Sequence, residues 1–120
     1  MYNLRTLDNG IRLLTTSVPH AMSVSTCIYV ASGSRHEEDE KAGVSHFLEH
    51  MVFKGTTRRP SPLEITGSIE RVGGLMNAST DRELTSYWCK VALPHFADTL
   101  DVLVDMLRNP LLSQEEVEKE

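Results

Sequence analysis

Residues 45–55 read SHFLEHMVFKG and place His46, Glu49 and His50 in the spacing H-x-x-E-H among apolar residues. At about 100° per residue, Val44, Phe47, Leu48, Met51 and Val52 share one arc, wide enough to anchor a helix to a core. The pattern predicts a helix over residues 44–54. His46, Glu49, His50 and Phe53 gather on the opposite side. Histidines at i and i+4 project side by side, so their ring nitrogens can converge on one ion at about 2.0–2.1 Å. Zinc suits such a pair because it accepts neutral imidazole and imposes no rigid geometry. Glu49 emerges beside the pair, where a carboxylate can act as general base towards a water. The order is that of the H-E-x-x-H helix reversed. The alternative for these residues is two histidines hydrogen-bonded inside a core without metal, and the clean separation of faces weighs against it.

Working outward, the first third of the chain favours strands. NLRTL and IRLLTTSV flank Asp8, Asn9 and Gly10, a strong hairpin signal. SVSTCIYVAS alternates, with Val24, Thr26, Ile28 and Val30 on one face. The polar run RHEEDEKAG predicts a solvated loop, and its His36 a plain exposed histidine. Ser61, Pro62 and Glu64 form a capping box with proline at the first helical position, and that helix is expected to end near Gly73 and Gly74. LMNASTDRELTSYWCKVAL predicts two strands joined around Asp81. Phe96, Leu100, Leu103 and Leu107 recur at helical spacing and stop before Pro110. Ser113 and Glu116 announce a further helix that runs out at Glu120. The order predicts an α+β fold with helices packed on one face of a largely antiparallel or mixed sheet.

The chain has 120 residues, a net charge of -5, 40% apolar and 24% charged residues. This suits one globular domain. The acidic balance and the lack of a basic stripe argue against nucleic acid. No apolar run approaches the ~20 residues of a membrane span, and MYNLRTLDNG lacks the basic segment followed by an apolar stretch that an export signal shows. The expectation is therefore a cytoplasmic protein with no membrane partner. Cys27 and Cys89 are expected to be reduced, buried thiols. His20 and His95 have no metal partners at sensible spacing and are left as structural.

GSRHEEDEKAGVSHFLEHMVFKGT (residues 33–56) and GGLMNASTDRELTSYW (residues 73–88) closely resemble the inverted-motif zinc peptidase family of pitrilysin, insulin-degrading enzyme and mitochondrial processing peptidase. The absence of long insertions looks most like its bacterial processing-peptidase branch. The resemblance implies a zinc-dependent metalloendopeptidase in which His46 and His50 bind Zn2+ and Glu49 activates the attacking water. It places the third ligand on a glutamate about 75 residues beyond the second histidine, past Glu120. Glu120 itself resembles a supporting acidic residue. Asn77 and Ala78 match an edge strand that holds an extended peptide or unfolded polypeptide. Phe53 either walls a substrate pocket or packs in the core. Residues 1–120 are expected to be the N-terminal part of one catalytic domain, cut within its C-terminal helix and inactive alone. A homo-oligomer or a second subunit is compatible with the resemblance. Some family members keep the fold as non-catalytic scaffold subunits, but these usually lack the motif that is intact here.

Overall fold

The computed structural model describes residues 1–120. Strands β1 (Tyr2–Thr6) and β2 (Arg12–Thr16) pair antiparallel as a two-stranded ribbon. Its turn is the one that Asn9-Gly10 announces: Gly10 has φ +88°, and Asn9 Oδ1 accepts from the Ile11 N–H at 3.1 Å. Every residue of both strands is exposed. The second sheet contains β3 (Ser23–Val30), β4 (Leu75–Thr80) and β5 (Thr85–Ala92) in the order β3-β5-β4, all antiparallel. Strand β4 therefore lies at an edge.

Strand β5 decides where the core sits. Thr85, Tyr87, Cys89 and Val91 are buried on one face, while Lys90 and Ala92 on the other are exposed. Against the buried face pack α2 (Pro62–Glu70) and α3 (Phe96–Arg108), which contribute Ile65, Ile69, Val102, Leu103 and Met106. The fold is α+β, with helices on one face of an antiparallel sheet. Helix α2 starts at Ser61, whose Oγ accepts from the Glu64 N–H at 3.3 Å and donates to Glu64 Oε2 at 2.9 Å. A short α4 (Gln114–Lys119) starts at Ser113 as its cap predicts.

Four expectations need correction. Helix α1 (Val44–Met51) ends earlier than its apolar pattern predicts, at a turn through residues 52 and 53. Its apolar arc is wider than the core available: Met51 and Val52 are buried, but Val44 and Leu48 remain 39% and 42% exposed. Cys27 is free but exposed; only Cys89 is buried. Cys27 pairs in register with Trp88 and Thr26 with Cys89, so alternation puts the two thiols on opposite faces. The polar run after Gly33 forms two 3₁₀ turns, Ser34–His36 and Asp39–Lys41, and its Glu37 is not left to solvent.

The segment after α1 is fixed to α3 by a buried polar cluster. Asp105, 3% exposed, accepts from Thr56 Oγ1 and Arg59 Nη1, both at 2.7 Å, and from Asn109 Nδ2 at 3.0 Å. Arg58 and Arg59 also hold Asp101, at 2.8 and 2.9 Å. Burial pushes the Asp105 carboxyl up, but donation from Thr56, Asn109 and Arg59 outweighs it and leaves the carboxyl low. Donation from Arg58, then Arg59, brings Asp101 down to about 2.

Two outcomes follow. Asp105→Ala strands a buried hydroxyl and a largely buried guanidinium, and should lower stability by about 3 kcal/mol, read from urea unfolding. Because both carboxyls titrate below their unfolded values, their stabilisation is present above the ordinary carboxylate range and fades as pH falls through about 2 for Asp101. Urea midpoints measured between pH 5 and pH 2 should drop less steeply in Asp101→Asn than in the parent.

Candidate metal centre

Helix α1 starts at Gly43, whose φ of +93° turns the chain into it and which has no side chain to cap it. The free N–H groups of the first turn need acceptors. Glu37 supplies two: its Oε2 accepts from Gly43 N–H at 2.6 Å and its Oε1 from Ser45 N–H at 2.8 Å. Donation by Gly43 first, then by Ser45, holds the Glu37 carboxyl below its usual range. Glu37 ends a strap that runs along the β4–β5 turn. There Ser34 N–H and Arg35 N–H donate to the carbonyls of Asp81 and Arg82 at 3.1 and 2.9 Å. Gly33 begins the strap at a place where a Cβ would lie 2.2 Å from the Asp81 carbonyl oxygen, so only glycine fits.

One residue beyond Ser45, His46 emerges, and His50 follows a turn later. Their rings meet edge to face with centroids 4.6 Å apart, and the two Nε2 atoms are 3.1 Å apart. Nitrogens bound at about 2.0–2.1 Å to one tetrahedral ion would be roughly 3.3 Å apart, so the pair fits a shared ion. His50 Nδ1 is paired with Glu120 Oε1, and Glu120 Oε2 takes Lys54 Nζ at 2.7 Å. Lys54 first, then His50, lowers the Glu120 carboxyl. An ionised carboxylate only accepts, so Nδ1 carries the proton and Nε2 of a neutral His50 turns its lone pair towards His46. Glu49 lies between them in sequence, and the ligand atoms of His46, Glu49 and His50 all lie within 4.8 Å of one another. Its Oε2 accepts from Thr80 Oγ1 of β4.

The other residues singled out from sequence are distributed around this cluster. Asn77 and Ala78 are on the edge strand β4, and Asn77 Oδ1 accepts from the Ala78 N–H at 2.8 Å. Phe53 lies past the end of α1, half-buried against the core. His36 Nδ1 accepts from the Gly33 N–H at 3.2 Å and closes a turn. An open cleft of about 320 Å³ adjoins His46 and is lined by Thr80, Asp81, Arg82 and the strap. A larger one of about 550 Å³, lined by residues of α2 and α3 and by Arg58 and Arg59, includes none of the cluster.

Residues 12–120 match the family described as Insulinase (Peptidase family M16). The chain belongs to this family. An uncharacterized zinc protease of Bacillus subtilis, YmxG, is 44% identical over 115 residues, 96% of this chain and 28% of that protein. The mitochondrial-processing peptidase subunit beta of Dictyostelium discoideum is 42% identical over 117 residues, 98% of this chain and 25% of its own. The crystal structure of a protease from Helicobacter pylori superposes with a TM-score of 0.90 at 26% identity, over 97% of this chain and 28% of that one. The chain thus spans about a quarter of the length of these insulinase-family relatives. Zinc is the metal that the name of the Bacillus subtilis relative carries, and two imidazoles beside a carboxylate are a donor set that zinc accepts.

Glu37 and Thr80 escaped the sequence reading. For Glu37 the available signal is one carboxylate among the four of the run EEDE, six residues before a helix-starting glycine, which only the fold closes into a cap. Replacing it with alanine should speed amide hydrogen exchange at Gly43 and Ser45 while leaving amides of α3 as protected as before.

Proposed function

We propose that residues 1–120 form the N-terminal part of the catalytic domain of a zinc-dependent metalloendopeptidase acting on extended polypeptides or peptides. The observation that carries this is the 3.1 Å approach of His46 Nε2 to His50 Nε2 with the Glu49 carboxylate beside them. His46 and His50 would hold the ion, and a glutamate C-terminal to Glu120 would complete the ligands. Zinc, when bound, polarises the substrate carbonyl and makes a water more acidic.

The remaining steps belong to the chain. Glu49 takes the proton of the attacking water and passes it to the leaving amine. Glu120 fixes the His50 ring from its far side, as outer carboxylates do for ligating histidines, and Lys54 steadies Glu120. The β4 edge receives the peptide as an added strand. There Asn77 either keeps the Ala78 N–H or yields it to the substrate and offers its own amide. Phe53 reaches the substrate only if the half-buried ring opens towards the cleft. One relative is named as a subunit, and the proposal extends to a second subunit or a second copy.

In the full-length enzyme, Glu49→Gln should retain zinc while kcat falls about 10²–10⁴-fold, the range removed with a general base. Turnover at the parent rate would refute the assignment. Residues 1–120 alone, with two ligands, should bind zinc weakly and hydrolyse no peptide. Tight stoichiometric uptake by calorimetry would point to a third ligand within the chain.

A further inference from the structure

Two threonines that face each other across the β4–β5 hairpin connect the Glu49 carboxylate to the backbone. Thr80 and Thr85 are register partners, on the face of the sheet that the helices cover. Thr80 Oγ1 meets Glu49 Oε2. Thr85 Oγ1 lies 2.8 Å from the Ser32 carbonyl oxygen and 3.4 Å from Thr80 Oγ1. Thr85 is 4% exposed, so its hydroxyl has no water to turn to.

Counting protons fixes the direction of this chain. A hydroxyl has one proton to give, and a backbone carbonyl can only accept. Thr85 therefore donates to Ser32, with Thr80 at best a weak second acceptor. Thr80 receives no demand for its own proton from Thr85 and donates to Glu49, whose ionised carboxylate also only accepts. One carboxylate oxygen is thereby pinned to the sheet. No protein group donates to the other, Oε1. The charge is felt nearby: burial first, then Glu49, raises the Tyr87 hydroxyl above its usual value.

We propose that Thr80 is a positioning residue that aims the Glu49 carboxylate, holding Oε2 to strand β4 so that Oε1 is presented to the attacking water. The inference rests on the general-base role of Glu49 proposed above. A β-branched side chain in a strand has few χ1 options, which makes threonine a stiff mount. Valine keeps that shape without the hydroxyl; serine keeps the hydroxyl with more freedom.

The test compares the parent, Glu49→Gln, Thr80→Val and Thr80→Ser in the zinc-loaded full-length enzyme. Kinetics on an unstructured peptide are read together with zinc content, thermal midpoint and a crystal structure of the valine variant. Expected for Thr80→Val is a fall in kcat of at least about tenfold, since a misaimed group costs up to 10²-fold. KM should stay within about twofold, zinc content should be unchanged, and the structure should show the Glu49 carboxylate turned off the strand. Thr80→Ser should lie within about threefold of the parent. Should the valine variant not fold, Thr80→Ala takes its place against the same serine control. A parental kcat in Thr80→Val while Glu49→Gln is inactive overturns the role of Thr80 alone. So does a loss that appears in KM or zinc content instead, or a serine variant as poor as valine. Parental turnover in Glu49→Gln overturns the general-base reading, and this inference with it.

Discussion

The arrangement depends on one carboxylate meeting two backbone donors. Helix α1 has an apolar arc that the core covers only in part, and the glycine before its first residue has no side chain for a cap. Packing alone leaves its rotation and its start loosely defined. Glu37 resolves both by taking the Gly43 and Ser45 N–H groups in a single bidentate grip. His46 follows Ser45 directly, so the grip also sets where the first imidazole points. Ser45 is buried, and a buried N–H without an acceptor costs more than an ordinary hydrogen bond returns, so this contact orients the helix together with the apolar burial.

The strap that carries Glu37 has a second job. Ser32, just before it, accepts from Thr85, and Gly33, Ser34 and Arg35 lie along the β4–β5 turn. Between Ser32 and Glu37 the chain thus touches both the sheet behind the Glu49 carboxylate and the start of the helix that holds both imidazoles. The distance between the sheet edge and the helix is set by a short piece of chain with no freedom at Gly33. The β4 edge, the Glu49 carboxylate and the two imidazoles share one frame.

How much of this was legible depended on the range of the interaction. The His46, Glu49 and His50 cluster is local, separated by a single helical turn, so periodicity sufficed to bring it together. The Asn9-Gly10 hairpin, the Ser61 and Ser113 caps and the end of α3 before Pro110 are local in the same sense, and all are found where their residues announce them. Val44 and Leu48 were misplaced because periodicity reports which residues share a face, not how much of that face the core covers. Cys27 was misplaced because an apolar strand does not say which of its two sides is inside. Glu37 and Thr80 have chemical meaning only through partners that the fold brings to them, and no spacing rule reaches across a strap or between a strand and a helix. The family resemblance supplied the motif around each of them without the reason for it.

Helix α1 is gripped at both ends. Glu37 holds its start, and beyond its finish Thr56 is tied through Asp105 to α3. A rod secured in this way can neither slide nor swivel without breaking a polar contact at one end. Any ion that prefers the two imidazoles at their present spacing must therefore strengthen both anchorages by the same free energy that they lend to its capture, because linkage is reciprocal. Loosening Asp105, on α3, should be felt as weaker metal retention, although its partners are Thr56, Arg59 and Asn109 and not the histidines.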